Sequence, residues 1–308
     1  MKEIIYLDAG VQDMKRPSER PPKSNWRMEM IKKALGTLQH VSSKKTAEIV
    51  WHFFTQPGKV GYSPAQKAFA EKAEKFETHY HNQKIQHYRW GTEGPKILLS
   101  HGWRSKATDF RRMTESLVKA GYVVEGIDMV AHGVSEGKHT ALPEFRDILK
   151  DHYIQHGPYE AIIGHSLGGL AAGMVASELA KDYQPKKLFL LAFPPFVRYF
   201  FKDIVSSLGF KNEVYEAFCD LVDKNYDQPI DYFDLRHKAQ ELKNIELHFI
   251  YDEQDETVPL MRGHEVYEYF PEAQFVQTKG LGHYKIMAWE GINDYILEHL
   301  KTPVKIEE

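Results

Sequence analysis

From Lys84 onward, apolar residues gather in two alternating textures. Short runs such as KILLSH, YVVEGID, EAIIG, KKLFLLAF, IELHFIY and AQFVQT are apolar or β-branched and strand-sized. Between them lie stretches in which apolar residues recur at helical spacing. Continuous apolar runs predict strands covered on both faces, and strand–helix alternation predicts a mainly parallel sheet between helical layers. KIQHYRW reads as a further early strand. ATDFRRMTESLVKA reads as a helix closed by Gly121, SLGGLAAGMVASELA as a helix of small residues, and another helix begins near Pro143.

Two segments depart from this rhythm. Residues 1 to about 25 are polar, with Pro17, Pro21 and Pro22 close together, and read as a loose arm. Helical stripes follow, first through Ile31, Leu35 and Leu38 and then through AEIVWHFF, until Pro57 and Gly58 stop them. These helices carry no evident chemistry and are expected to pack on the main domain. The second departure, residues 194 to about 240, lies between two strands, looks helical and is rich in aromatics, among them Phe196, Tyr199, Phe200, Phe201 and Phe218. A plain connection would be much shorter, so a lid insertion is expected. The expected organisation is an arm and helical extension over residues 1–83 and a main domain over 84–308, with the lid at about 194–240.

The net charge of -3 supplies no positive field for nucleic acid, so a nucleic-acid partner is not expected. One cysteine, Cys219, precludes an intramolecular disulfide and fits a reducing, cytoplasmic setting. MKEIIYLDAG lacks the apolar core of a signal peptide, and no run approaches the ~20 apolar residues of a membrane span, so stable membrane insertion is not expected. The sequence does not indicate an oligomeric state.

Candidate chemistry centres on Gly164-His165-Ser166-Leu167-Gly168, with Gly169 following. The motif leaves an apolar strand and opens a small-residue helix, the context of a nucleophile elbow. There the serine sits at a helix N-terminus that favours negative charge. A serine N-cap on an ordinary βα turn would suit serine as well; the strand before and the helix after favour the catalytic reading. A serine hydroxyl needs a base, and His283, in Gly280-Leu281-Gly282-His283, stands in a glycine-flanked loop after the last strand. The acid is expected at another strand end of the same edge. IELHFIYDEQDETVP offers Asp255, with Asp252 as runner-up in the role of a turn residue bonding its own backbone. The oxyanion needs two backbone donors: the N–H of Leu167, and that of Trp103 in the His101-Gly102-Trp103 loop. The Trp103 ring, Phe196 and Tyr199 are candidate substrate contacts. His132 reads as a loop brace and His165 as pointing away from the nucleophile. His79, His81 and His87 lack the carboxylate or cysteine spacing of a metal site, and no metal or other cofactor is expected.

Taken in order, ILLSHGW, GYVVEGIDMVAHGVSEG, IIGHSLGGLAAG, IYDEQDETVP and GLGHYKI resemble the α/β-hydrolase superfamily over residues 84 to about 300. AHGVSEG looks like its G-H-G-x-S loop with Ala131 at the first glycine. The order Ser166, Asp255, His283 is that of these enzymes. The resemblance implies an eight-stranded, mostly parallel sheet and cofactor-free acyl transfer to water. With serine at the elbow it sets aside the aspartate- and cysteine-nucleophile branches. The expected activity is hydrolysis of a small-molecule carboxylic ester with a short to medium apolar acyl group. Acyltransfer, thioester or peptide hydrolysis, or slow-turnover ligand binding, stand as alternatives.

Overall fold

The computed structural model describes residues 4–10, 26–226 and 228–302, apart from the side chains of residues 26–29, 31, 32, 200 and 204. Pro17, Pro21, Pro22 and the side chains of Ile31 and Phe200 lie outside that description. In chain order the elements are β1 (Ile4–Asp8), α1 (Trp26–Leu38), α2 (Ser43–Phe54), α3 (Pro64–Ala70), β2 (Glu74–Tyr80), β3 (Gln83–Trp90) and β4 (Lys96–Ser100). They continue as α4 (Arg111–Lys119), β5 (Val123–Asp128), α5 (Leu142–His156), β6 (Ala161–His165), α6 (Leu167–Glu178), β7 (Lys187–Leu191), α7 (Val197–Ser207) and α8 (Asn212–Tyr226). β8 (Glu246–Asp252), α9 (Leu260–Tyr267), β9 (Gln274–Lys279), α10 (Gly282–Lys285) and α11 (Glu290–Lys301) complete the chain.

The strands form one sheet in the order β1-β9-β8-β7-β6-β4-β5-β3-β2. Every pair from β1 to β5 is parallel, and β5–β3 and β3–β2 are antiparallel. The expected count of eight strands is therefore corrected to nine among the described residues. The extra strand is β1, in the segment read as a loose arm, where Ile4–Asp8 pair in register with Phe275–Lys279. Its apolar run IIYL is only half covered, as suits an edge, and the polar, proline-bearing sequence after it obscured the signal. β2 was likewise not anticipated. EKFETHY alternates charged and apolar positions and lies at the other edge, where one face stays wet.

β5, β6 and β7 are buried at every position. Three of those positions hold an acid or a lysine, Glu125, Asp128 and Lys187. Glu125 on β5 accepts from Arg89 Nε at 2.8 Å, from Tyr159 Oη at 2.5 Å, and bonds His152 Nε2 at 2.8 Å. Burial alone would raise its pKa, but these partners outweigh burial and hold the carboxyl down to about 2. Lys187 on β7 donates to Glu246 Oε2 at 2.9 Å and to the carbonyls of His299 and Thr302 at 2.6 and 2.8 Å. It thereby caps the C-terminal end of α11, where carbonyls lack helical partners.

The chain forms two compact units. One comprises the described parts of Met1–Gly10, Gln56–Pro195 and Leu235–Glu308; the other comprises those of Val11–Thr55 and Phe196–Asp234. The expected boundary at residue 84 falls instead inside the β2–β3 hairpin. In the second unit the helical extension and the aromatic insertion pack on one another. Trp51 meets Phe218 at 5.2 Å, Phe54 meets Phe201 at 5.3 Å, and Phe201 meets Phe218 at 4.5 Å between ring centroids. The aromatics of the insertion thus have partners on α2, more than 140 residues earlier in the chain. Among the described residues, no helix is long and apolar enough to cross a membrane.

Candidate active site

Parallel strands end at a common edge of a sheet. The loops leaving β4, β6, β8 and β9 there carry Trp103, Ser166, Asp255 and His283 in turn. Ser166 has φ +52° and ψ −128°, a conformation that L-residues rarely adopt. Strain of this kind persists only where surrounding structure enforces it. Here the Ser166 N–H donates to Leu191 O at 2.9 Å, and its carbonyl accepts from Gly169 N at 2.9 Å. Crowding explains the flanking glycines. A Cβ on Gly164 would stand 2.6 Å from Gly169 Cα, one on Gly169 would stand 2.8 Å from Phe193 Cβ, and one on Gly168 would collide with the carbonyl oxygens of Ser100 and His101.

His283 and Asp255 complete a hydrogen-bonded chain. Asp255 Oδ1 accepts the N–H groups of Thr257 and Val258 at 2.8 and 2.9 Å, which orients the carboxylate. Its Oδ2 lies 2.8 Å from His283 Nδ1. A carboxylate can only accept, so Nδ1 donates, and the neutral ring presents a bare Nε2. Ser166 Oγ lies 2.9 Å from that Nε2 and can donate to it. The three residues are 9%, 5% and 7% exposed for Ser166, Asp255 and His283, so the chain of bonds is nearly dry. Asp252, the other candidate acid, makes no bond to the imidazole; one of its bonds is to its own loop, at Gln254 N, as a turn residue would make.

The loop after β4 passes against Ser166, since a Cβ on Gly102 would stand 2.7 Å from Ser166 Cβ. That contact places the Gly102–Trp103 peptide beside Ser166. Leu167 is the first residue of α6, where backbone N–H groups have no helical acceptor. Trp103 is half-buried, its ring 5.4 Å from that of His132. Phe196 and Tyr199 belong to the second unit, where their rings meet edge to face at 4.8 Å; Phe196 is buried and Tyr199 is 40% exposed.

Two histidines brace the loop after β4. His101 Nδ1 donates to Gly102 O at 2.8 Å while its Nε2 accepts from Met129 N at 3.0 Å. His132 Nδ1 donates to Val130 O at 3.0 Å while its Nε2 accepts from Arg104 N at 3.0 Å. The AHGVSEG loop that supplies His132 is itself pinned by Asp128, which accepts from Val134 N at 3.0 Å and Ala107 N at 2.9 Å. Ala131 sits in it at φ +65°, the left-handed region that glycine tolerates best, and its N–H donates to Glu136 O at 2.8 Å. His165 turns toward His283 rather than Ser166. Its ring centroid is 4.8 Å from that of His283, and its Nε2 is 2.7 Å from the His283 carbonyl.

Burial lowers the pKa of these imidazoles: His101 to about 4, His132 to about 3, and His165 well below 6.5. Below pH 6.5 the unfolded chain binds protons at these sites and the native chain does not. Their contribution is therefore present above 6.5 and lost as pH falls toward the native values. Unfolding free energy should drop on the order of 1 kcal/mol per pH unit per such histidine. Thermal melts from about pH 7 to about pH 4 check this, and a flat melting temperature would contradict it.

By sheet order and by the strand–serine–helix elbow, the chain has the α/β-hydrolase fold. Residues 93–203 match the family model described as serine aminopeptidase, S33. The pimeloyl-[acyl-carrier protein] methyl ester esterase of Chromobacterium violaceum is 36% identical over 109 residues, which is 34% of this chain and 40% of that relative. The chain thus spans less than half the length of this curated relative. Among solved structures, an esterase of Pyrococcus furiosus is similar with a TM-score of 0.61 at 20% identity, over 80% of this chain and 97% of that one. The thioesterase domain from the curacin biosynthetic pathway has a TM-score of 0.52 at 16% identity, over 75% and 99%.

Proposed function

We propose that the protein is a serine hydrolase that cleaves a carboxylic ester through an acyl-enzyme on Ser166. The observation that carries this reading is the unbroken chain Asp255 Oδ2–His283 Nδ1, His283 Nε2–Ser166 Oγ, at 2.8 and 2.9 Å, on a serine held at φ +52°. His283 Nε2 takes the hydroxyl proton as Oγ attacks the ester carbonyl. The carbonyl oxygen becomes negative and is met by the N–H groups of Leu167 and Trp103. Asp255 stabilises the imidazolium and keeps its tautomer. His283 then gives the proton to the departing alcohol, leaving the acyl group on Ser166. A water, deprotonated by the same Nε2, attacks the acyl carbon and releases the acid with Ser166 restored.

The alcohol side is proposed to be small, since the relative at 36% identity is named for a methyl ester. The acyl side is proposed to be short to medium and apolar. A peptidase reading has one observation in its favour, the description of the family model that matches residues 93–203. A panel of methyl and p-nitrophenyl esters of graded chain length, the matching thioesters, and aminoacyl amides tests both. Esters should turn over with the highest kcat/KM at short to medium chains and amides at least about 100-fold more slowly, because an amine leaves less readily than an alcohol and must be protonated to do so. Amide cleavage at or above the ester rate would favour the peptidase.

A further inference from the structure

Four residues of helix in α10 are too few to hold themselves; the helix opens on Gly282 at φ +58°, and the turn before it has Gly280 at φ +93°. The position of the His283 ring must therefore be imposed from outside that turn. Two buried side chains reach its backbone. Asp252, at the end of β8 and fully buried, has both oxygens engaged: Oδ1 accepts from Gln254 N at 2.9 Å and Gly282 N at 2.9 Å, and Oδ2 from Thr278 Oγ1 at 2.7 Å and Leu281 N at 3.0 Å. Four donors fill the acceptor sites of a carboxylate, and three of them come from residues 278–282, the approach to His283.

On the other side of the residue, His165 grips the carbonyl. That oxygen accepts, so His165 Nε2 donates at 2.7 Å, leaving Nδ1 as a lone pair that no donor among the described residues reaches. A buried imidazole with one nitrogen unpaired is a cost, which the fold bears in order to keep the other bond. His165 is also the residue immediately before Ser166. The elbow that sets the nucleophile thereby sets the base as well.

We propose that Asp252 and His165 are positioning residues that clamp the chain on either side of His283, Asp252 through the N–H groups of Leu281 and Gly282 and His165 through the His283 carbonyl, aiming Nε2 at Ser166 before substrate arrives. The proposal rests on the serine-hydrolase reading above. Neither side chain hydrogen-bonds Ser166 Oγ or a ring nitrogen of His283; each acts through the placement of His283. A displacement of about 1 Å at a catalytic group can cost on the order of 100-fold in rate, while ground-state binding is unaffected.

The test measures kcat, KM, the rate of fluorophosphonate labelling and the melting temperature for the wild type, Asp252→Asn, His165→Leu and His165→Gln. Asp252→Asn puts an amide N–H against backbone donors; His165→Leu removes the donor to the carbonyl; His165→Gln restores one near the Nε2 position. Asp252→Asn and His165→Leu should lower kcat and the labelling rate by about 10- to 100-fold, with KM within about twofold, and His165→Gln should recover most of the loss. Should Asp252→Asn not fold, the His165 pair decides alone. In addition, the low-field proton resonance of the Asp255–His283 bond should shift or broaden in His165→Leu, which a merely structural residue would leave in place. Folded variants that label and turn over at the wild-type rate overturn the clamp and leave the hydrolase reading standing. Failure of the wild type itself to label at Ser166 overturns both.

Discussion

Replacement of Ser166 by alanine should lower kcat by at least about 10⁴-fold, leaving only what the oxyanion donors and substrate binding supply. The wild-type protein treated with a fluorophosphonate should carry its adduct on the peptide containing Ser166, and Ser166→Ala should carry none. Labelling that survives the substitution would remove Ser166 from the nucleophile role. A second consequence follows from the backbone. Ser166 at φ +52° and ψ −128° is strained, and such residues cost on the order of 1–3 kcal/mol. Ser166→Gly should therefore abolish activity while raising the melting temperature, because glycine adopts this conformation without a Cβ clash. Activity and stability would then move in opposite directions at one residue. A fall in melting temperature for Ser166→Gly would indicate that the serine hydroxyl contributes more to the fold than the strain removes.

Asp255→Asn should reduce kcat by up to about 10⁴-fold with the site geometry kept. The amide can present its N–H to His283 Nδ1, so the imidazole is driven to the tautomer with a proton on Nε2 and no lone pair for Ser166. The imidazolium formed on attack also loses its counter-charge. Asp252→Asn should be much milder, because the Asp252 carboxylate meets backbone and threonine donors at 2.7–3.0 Å rather than the imidazole. The two variants, compared by kcat on one ester and by crystal structure or melting temperature, separate the acid from its neighbour three residues away. The reverse ranking would give the acid role to Asp252.

How much of this could be read from residues depends on where each residue's partner lies. Strands β5, β6 and β7 are buried along their whole length, so VVEGID, AIIGH and KLFLL stand out as apolar runs. The edge strands β1 and β2 did not stand out, because a half-wet strand alternates and can be short. Glu125 and Lys187 would be placed at the surface by residue type alone. Each is buried because partners from other elements complete it: Arg89, His152 and Tyr159 for the acid, and Glu246 with the end of α11 for the base.

Local sequence determined the elbow, since a strand, a serine between glycines and a helix lie within one short stretch, and crowding within a single turn selects those glycines. It also determined the alternation that produces the sheet, and it placed histidine and acid candidates at strand ends of one edge. Tertiary structure alone decided the rest. It set Asp255 rather than Asp252 against His283 Nδ1, turned His165 toward a carbonyl 118 positions away, and joined the helical extension with the aromatic insertion in a compact unit of its own. The physical reason is the same in each case. Hydrogen bonds and ring contacts act over a few ångströms in space, and no periodicity in the chain records which distant segment will arrive there.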